Sequence, residues 1–215
     1  MQEPHQYLRL AFFAFVRVFV VVFLGLNVRR KALLPKSGPA LVVANHNSHL
    51  DTLMLISLFP LKLLPHIRPV AAADHFLRNK WMAWFSTGII GILPIVRGGA
   101  SRDCDPLEIC YTALAQDKIL ILFPEGSRGE PEKLTQFKKG VARLAARFPQ
   151  APVTPVFIYG LGKALPKDDF VLVPFFCDVF VGDAVPPTDD KNLFMDSLNT
   201  RFQALAEEGH FQPWS

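Results

Sequence analysis

The sequence predicts an α/β fold, in which a mostly parallel central sheet is covered by helices and preceded by an N-terminal membrane-associated helix. Short apolar runs alternate along the chain with longer amphipathic ones, which is typical of a parallel sheet built from β-α-β units. An apolar segment rich in Phe and Val near the N-terminus predicts the additional helix. A length of 215 residues suits a single domain of catalytic size.

The N-terminal segment from Leu10 to Val28 is strongly apolar, with Arg17 as its one charged residue, and as a helix would extend roughly 28 Å. Basic residues dominate the first 36 positions, where only Glu3 opposes Arg9, Arg17, Arg29, Arg30, Lys31 and Lys36. We therefore expect a helix that lies in or dips into an anionic membrane surface, monotopic or as a single membrane helix. The following domain would lie on the cytoplasmic face of the inner (cell) membrane. The alternative is a buried core helix of a soluble domain.

The remaining strands and helices are predicted from the apolar runs and from the turn residues that separate them. Strands are predicted at ALVVA (40–44), PVAAA (69–73), ILPIV (92–96), ILILF (119–123), VTPVFIY (153–159) and within 171–182. Helices are predicted at Pro106 to Asp117, Gln136 to Phe148 and Asp189 to Glu208. No repeat or low-complexity linker interrupts the chain, so we divide it only into 1–36, the membrane-associated helix and its basic flank, and 37–215, the main domain.

Composition narrows the classes of partner. The net charge of +4 is compatible with nucleic acid, an anionic lipid surface or an acidic substrate. Positive charge is concentrated beside the apolar N-terminus and no nucleic-acid recognition motif is present, which argues against nucleic acid. Three scattered cysteines (Cys104, Cys110 and Cys177) form no C-x-x-C pair, and we expect buried thiols in a reducing compartment.

The stretch NHNSHLD, directly after ALVVA, contains two histidines and a carboxylate. The carboxyl end of a strand is where ligands bind in α/β sheets. A metal ion could in principle be bound by His46, His49 and Asp51, but the sequence has no further motif of metal ligands. A proton role is favoured, because a tight strand-to-helix turn brings His46 and Asp51 together as a general base and its orienting carboxylate. Asp51 also fits a helix-capping box with Ser48.

A second polar loop, FPEGSRG, follows the strand ILILF and should open at the same edge of the sheet. Gly126 permits close backbone approach, while Ser127 and Arg128 offer hydrogen-bond donors to an anion. Glu125 would bind a substrate hydroxyl or hold an arginine. Arg97, at the end of GILPIVRG, would join them, and the converging arginines imply an anionic substrate.

The FKKG stretch at 137–140 precedes a predicted helix. Its two lysines, Lys138 and Lys139, either contact a substrate phosphate or merely solvate the surface. The sequence alone leaves both interpretations open.

Together these motifs resemble the glycerolipid acyltransferase family, whose type member is bacterial 1-acylglycerol-3-phosphate acyltransferase (PlsC-like). The resemblance covers about residues 38 to 160 and depends on the H-x4-D pair, GILPIVR, FPEGSRG and APVTPVFIYG, in that order. It implies the glycerolipid acyltransferase fold for 37–215, His46 as the general base and Asp51 as its orienter. By the same resemblance, acceptor-phosphate binding falls to Arg97, Glu125, Gly126 and Arg128, and Pro155 lies on the acyl side. Ser127, which stands where the family more often has Thr, is expected to bind the substrate with them.

The implied reaction moves a fatty acyl group from an acyl-CoA or acyl carrier protein thioester to the hydroxyl of a lysophospholipid, with 1-acylglycerol-3-phosphate favoured as acceptor. No metal or cofactor is expected, and the sequence has no G-x-S-x-G elbow for a serine nucleophile. Glycerol-3-phosphate, a lyso-ornithine lipid or another lysophospholipid remain alternative acceptors. A non-catalytic lipid-binding relative is the alternative from another class.

Overall fold

A computed structural model describes residues 5–23, 25–48, 50–76, 79–96, 105–126, 136–164 and 176–209. In this part of the chain, seven strands form one sheet in the order β1-β7-β6-β2-β5-β3-β4, and only the β6–β7 pair is antiparallel. The strands are β1 (Leu26–Arg29), β2 (Ala40–Ala44), β3 (Ile67–Ala72), β4 (Leu93–Ile95), β5 (Ile119–Leu122), β6 (Val153–Tyr159) and β7 (Cys177–Val181). The α/β fold with a mostly parallel sheet is thus confirmed.

Five neighbouring strands, β6, β2, β5, β3 and β4, run in the same direction. Their carboxyl ends therefore lie along one edge of the sheet, called the active edge below. The central strand β2 is buried along its whole length, as expected when helices cover both faces of a parallel sheet. Its neighbour β5 carries the run ILIL. The loops after these two strands contain the predicted site.

Helices cover both faces of the sheet. One face packs against α1 (Gln6–Phe23) and α2 (Asp51–Leu58), and the other against α5 (Glu108–Ala115), α6 (Gly140–Arg147) and α8 (Lys191–Glu208). The short helices are α3 (Ala73–Phe76), α4 (Lys80–Trp84) and α7 (Leu161–Ala164), with a π-helical turn at Phe85–Ile90 and 3₁₀ turns at Lys31–Leu33 and Leu61–His66. The three long predicted helices lie within their predicted ranges.

Several predicted boundaries shift. The strands at 40–44 and 153–159 are as predicted, whereas β3 begins earlier than predicted and gives way to α3 at Ala73. Within 171–182 the strand is Cys177–Val181, and positions 171–175 lie outside the described residues. Strand β1 is not predicted by the local pattern.

The N-terminal helix ends at Phe23 rather than at Val28. Gly25 adopts a left-handed φ of 41°, and a Cβ there would lie 2.9 Å from the Phe176 ring. The chain then continues as β1, which pairs with β7 at the edge of the sheet. Apolar side chains at 26 and 28 thus belong to a half-buried strand, and the pairing across the sheet overrides the helical pattern.

One stripe of α1 is buried in the domain core. Phe13, Val16 and Val20 pack against the sheet and α2, while other apolar residues of the helix are exposed. Within the described residues, no helix is both long enough and apolar enough to traverse a bilayer.

Two of the basic residues that we expected to face lipid form hydrogen bonds within the protein. Arg9 is 2% exposed and donates to the carbonyls of Leu64, Ile67 and Ile90 at 2.6, 2.8 and 3.0 Å. Arg30 forms a bidentate pair with the Glu208 carboxylate on α8. For Arg9 the expectation is wrong, because the folded chain buries it against carbonyl acceptors that sequence proximity does not reveal. The Arg30 side chain stays 41% exposed beside its partner.

Candidate active site

The site begins where β2 ends at the active edge. Asn45 prolongs the pairing of β2 with β6: its Nδ2 donates to the Ile158 carbonyl at 2.8 Å, and its Oδ1 accepts from Ile158 N–H at 2.7 Å. This amide fixes the path of the loop that carries the next residues. Asn45 was not predicted as a site residue, although a polar side chain directly after a buried strand is a usable signal.

His46 and Asp51 meet across the turn between β2 and α2. The His46 Nδ1 lies 2.8 Å from Asp51 Oδ2, and the Asp51 side chain is fully buried. The same Oδ2 accepts from the backbone N–H groups of Asn47 and Ser48 at 2.7 and 2.8 Å. A carboxylate oxygen only accepts, so the neutral imidazole that suits this contact has its proton on Nδ1 and its lone pair on Nε2.

The capping interpretation of Asp51 is compatible with this pair. Asp51 is the first residue of α2, whose N-cap is Leu50 without a side-chain cap bond. Its Oδ2 accepts from the Ser48 N–H, as the acidic residue of a capping box would, but the reciprocal bond from Asp51 N–H to Ser48 Oγ is not among those described. Ser48 Oγ accepts from Leu50 N–H at 3.3 Å. One carboxylate therefore closes the helix start and orients the imidazole.

Phe123 and Glu125 join the second loop to the first. The His46 ring stacks on Phe123 with centroids 4.2 Å apart, and the His46 backbone N–H donates to Glu125 Oε1 at 3.2 Å. The His46 side chain remains 21% exposed, whereas Glu125 is buried. Phe123 was predicted only as a strand residue, and stacking between loops has no local sequence signal.

Lys138 lies against the second loop. Gly126 has a φ of 77°, and a Cβ there would overlap the Lys138 Nζ. The Lys138 backbone N–H donates to the Pro124 carbonyl at 2.8 Å. Its neighbour Lys139 is directed to α8, where its Nζ donates to Asn192 Oδ1 at 3.1 Å. Adjacent lysines thus have different surroundings, and only Lys138 adjoins the candidate site.

Other predicted site residues have different placements. His49, Arg97, Ser127 and Arg128 lie outside the described residues. Pro155 is buried within β6, paired in register with Val43, and its carbonyl accepts from the Gly182 N–H at 2.9 Å. It therefore lies inside the sheet, one register position before the end of β2 at Ala44.

The described residues offer neither a cluster of metal ligands nor a reactive thiol at Cys110. Across the described ranges, no group of three or more His, Cys, Asp and Glu side chains has the arrangement of a metal site. Cys110 is buried in the core, where burial and then the charge of Asp105 raise its thiol pKa to about 12. A thiol with that pKa is almost entirely protonated at neutral pH, so Cys110 is not a nucleophile.

The arrangement can perform general base catalysis. A hydroxyl that approaches His46 Nε2 would give up its proton while Asp51 holds the ring and stabilises the imidazolium. The neighbouring loop offers a buried carboxylate, a left-handed glycine and a lysine. These groups suit a polar, anionic partner for the base.

Comparison with known proteins agrees with this chemistry. A family model described as Acyltransferase matches residues 25–159. The chain is 30% identical over 155 residues to the chloroplastic 1-acyl-sn-glycerol-3-phosphate acyltransferase LPAT1 of Arabidopsis thaliana, covering 69% of this chain and 40% of that protein. It is 27% identical over 173 residues to the human 1-acyl-sn-glycerol-3-phosphate acyltransferase alpha, covering 80% and 58%.

A solved structure has the same fold. The 1-acyl-sn-glycerophosphate (LPA) acyltransferase PlsC from Thermotoga maritima superposes with a TM-score of 0.74 at 20% identity, covering all of this chain and 86% of that one. By contrast, the chain spans 40% and 58% of the length of the plant and human relatives.

Proposed function

Because this chain belongs to the acyltransferase family, we propose that it transfers a fatty acyl group from a thioester to the free hydroxyl of 1-acylglycerol-3-phosphate, giving phosphatidic acid. The observation that carries the proposal is the His46–Asp51 pair, bonded at 2.8 Å at the active edge. The names of the plant and human relatives support the choice of acceptor.

In the proposed reaction His46 acts first as base and then as acid. Its Nε2 takes the proton of the acceptor hydroxyl while that oxygen attacks the thioester carbonyl. The tetrahedral intermediate collapses with loss of the thiolate, which receives the proton from the imidazolium. A positioned base of this kind accelerates a reaction by about 10²–10⁴-fold. Acyl transfer is direct, without a covalent acyl-enzyme.

We propose that the acceptor phosphate binds beside the second loop. Arg97 and Arg128 would grip it with charged hydrogen bonds, together with Ser127 and the backbone of Gly126. Lys138 would add a cation, since its Nζ lies against that glycine. A charged hydrogen bond is worth about 1.5–3 kcal/mol, so Arg97→Ala should lower kcat/KM for lysophosphatidic acid about ten- to a hundredfold.

Glu125 would position the glycerol part of the acceptor. Its Oε1 already accepts from the His46 backbone N–H, so the carboxylate couples the acceptor loop to the catalytic loop. Pro155, by family resemblance, would border the acyl chain from within β6. The donor thioester is either acyl-CoA or acyl carrier protein.

We further propose that α1 binds the membrane interface on the cytoplasmic face of the cell membrane, with 1–36 as the membrane-associated segment and 37–215 as the acyltransferase domain. The helix exposes large apolar side chains: Tyr7, Leu8, Leu10, Phe15, Val18, Val21 and Val22. This division concerns function, because α1 and β1 pack on the rest of the domain.

Arg17 on α1 and Lys31 just after β1 support an anionic surface as the binding partner. Burial, and then the nearby charge of Arg17, lower the pKa of Lys31. A lipid phosphate between the two side chains would relieve their repulsion. Changing both residues to Gln should weaken binding to anionic vesicles in a salt-dependent way, and binding that is equal at low and high salt would contradict the assignment.

One assay tests the proposed function as a whole. The purified chain would be incubated with labelled acyl-CoA or acyl carrier protein against a panel of lysophospholipids, glycerol-3-phosphate and a lyso-ornithine lipid. We expect phosphatidic acid, identified by mass, and its loss in His46→Ala. Acylation of another acceptor in preference to lysophosphatidic acid would overturn the substrate assignment, and no acylation at all would favour a non-catalytic lipid-binding protein.

A further inference from the structure

A second helical segment of the domain exposes large apolar side chains. In α4 and the π-helical turn that follows, Trp81, Met82, Trp84 and Phe85 are 78, 49, 40 and 36% exposed. We call these four residues the aromatic surface. Contiguous exposed apolar side chains of this size are uncommon on a monomeric protein and indicate an interaction site.

The aromatic surface is held in place by α1. Trp84 Nε1 donates to His5 Nε2 at 3.2 Å, and the His5 backbone N–H donates to the Gly88 carbonyl at 2.8 Å. Phe85 meets Phe12 of α1 edge to face, with centroids 5.3 Å apart. The exposed aromatic rings are thus presented by a packed scaffold that is continuous with α1.

Exposed apolar side chains are distributed unequally over the protein. In the described part of the chain, α1 and the aromatic surface carry most of the large exposed apolar residues, whereas the helices on the opposite face, α5, α6 and α8, expose only Leu193. Such asymmetry is expected when one side of a domain contacts an extended apolar partner.

The position of the aromatic surface also matters. Its segment follows β3, whose carboxyl end at Ala72 lies at the active edge together with that of β5. The segment then continues to Leu93, where β4 begins at the opposite edge of the sheet. The aromatic surface therefore lies on the crossover between the two edges, beside the N-terminal part of α1.

The chemistry of the region favours lipid over protein. Trp and Tyr are enriched at membrane interfaces, where an apolar ring and a polar atom are both satisfied. Lys80 is exposed at the start of α4.

A mostly apolar groove of about 400 Å³, lined by Tyr7, Leu10 and Lys62 among others, lies between α1 and the 3₁₀ turn Leu61–His66. An apolar groove with a cation at its border matches an acyl chain and a phosphate headgroup.

We propose that the aromatic surface inserts into the headgroup–acyl boundary of an anionic bilayer, as a second membrane contact besides α1. The proposal rests on the proposed function, since a membrane-resident acceptor is what gives the contact its purpose. The occupant is the bilayer itself, and two contacts on adjacent helices would fix the orientation of the domain on the lipid surface.

The test uses tryptophan fluorescence of the full chain. The chain has three tryptophans, Trp81, Trp84 and Trp214, so a Trp214→Phe background reports only on the aromatic surface. Vesicles of phosphatidylcholine and phosphatidylglycerol carrying brominated acyl chains should quench this emission, and unbrominated vesicles should shift it to the blue. No substrate is present, so the result is independent of turnover.

A matched pair of variants completes the test. Trp81→Gln combined with Met82→Gln should weaken cosedimentation with the same vesicles about tenfold or more, given the apolar area removed. Leu193→Gln, at an exposed apolar position on the opposite face, should leave it unchanged. Thermal unfolding checks that both variants are folded.

Three outcomes would overturn the proposal: bound protein whose emission is not quenched, equal vesicle binding by the double variant and wild type, or a dimer that the double substitution dissociates while vesicle binding persists. The last result would assign the surface to a second copy of the chain. Quenching without any acyl transfer would instead refute the proposed function and leave the membrane contact standing.

Discussion

Replacing Asp51 by Asn would separate the charge of the carboxylate from its geometry. All three donors, His46 Nδ1, Asn47 N–H and Ser48 N–H, converge on Oδ2, whereas Oδ1 has no hydrogen-bond partner in the described structure. An amide oxygen in the place of Oδ2 would keep the three contacts. In the opposite orientation the amide N–H groups would point at the three donors and repel them. The Asn side chain should therefore place its oxygen, not its nitrogen, at the Oδ2 position.

The expected loss follows from the missing charge. Two unit charges about 4 Å apart interact by about 4 kcal/mol at an effective dielectric constant of 20. If the imidazolium is about half formed in the transition state, Asp51→Asn removes about 2 kcal/mol of stabilisation. The rate constant kcat should then fall roughly thirtyfold, with little change in the KM for either substrate.

Asp51→Ala provides the contrast. It leaves two backbone N–H groups, those of Asn47 and Ser48, without their acceptor inside the protein, at about 1–3 kcal/mol each. We therefore expect the Ala variant to lose about 2–6 kcal/mol of unfolding free energy and the Asn variant to lose less, because only its own amide N–H groups then lack a partner. Steady-state kinetics and denaturant unfolding measure the two effects separately. Wild-type kcat in Asp51→Asn, or equal destabilisation by both substitutions, would refute the reasoning.

Three further predictions concern the base, the lysines and the buried arginine. His46→Ala should abolish acyl transfer while His49→Ala keeps most of it, and inactivation by a chelator would instead indicate a metal site. Lys138→Gln should raise the KM for lysophosphatidic acid about tenfold, and the adjacent Lys139→Gln should not, as initial rates at varied acceptor will show. Arg9→Met leaves three carbonyls without their donor and should lower the free energy of unfolding by at least about 3 kcal/mol in urea.

Much of the sheet was predictable because its central strands are buried on both faces. ALVVA and VTPVFIY are largely apolar runs bounded by turn residues, and they became β2 and β6 with the predicted limits. The contact of His46 with Asp51 was predictable for a similar reason, since it spans only five residues of one turn. The roles assigned to these residues remain predictions for the experiments above.

The sequence by itself determined the local features: apolar runs that become strands, amphipathic runs that become helices, and polar loops at strand ends. Only the tertiary structure decided what depends on segments far apart in the chain. The Arg30–Glu208 pair and the stacking of His46 on Phe123 are of this kind, as is the pairing of β1 with β7. The hydrogen-bond partner and the burial of a side chain depend on which distant segments pack against it, so residue type alone cannot predict them. For that reason Arg9, which we expected to face lipid, instead donates hydrogen bonds to three backbone carbonyls inside the fold.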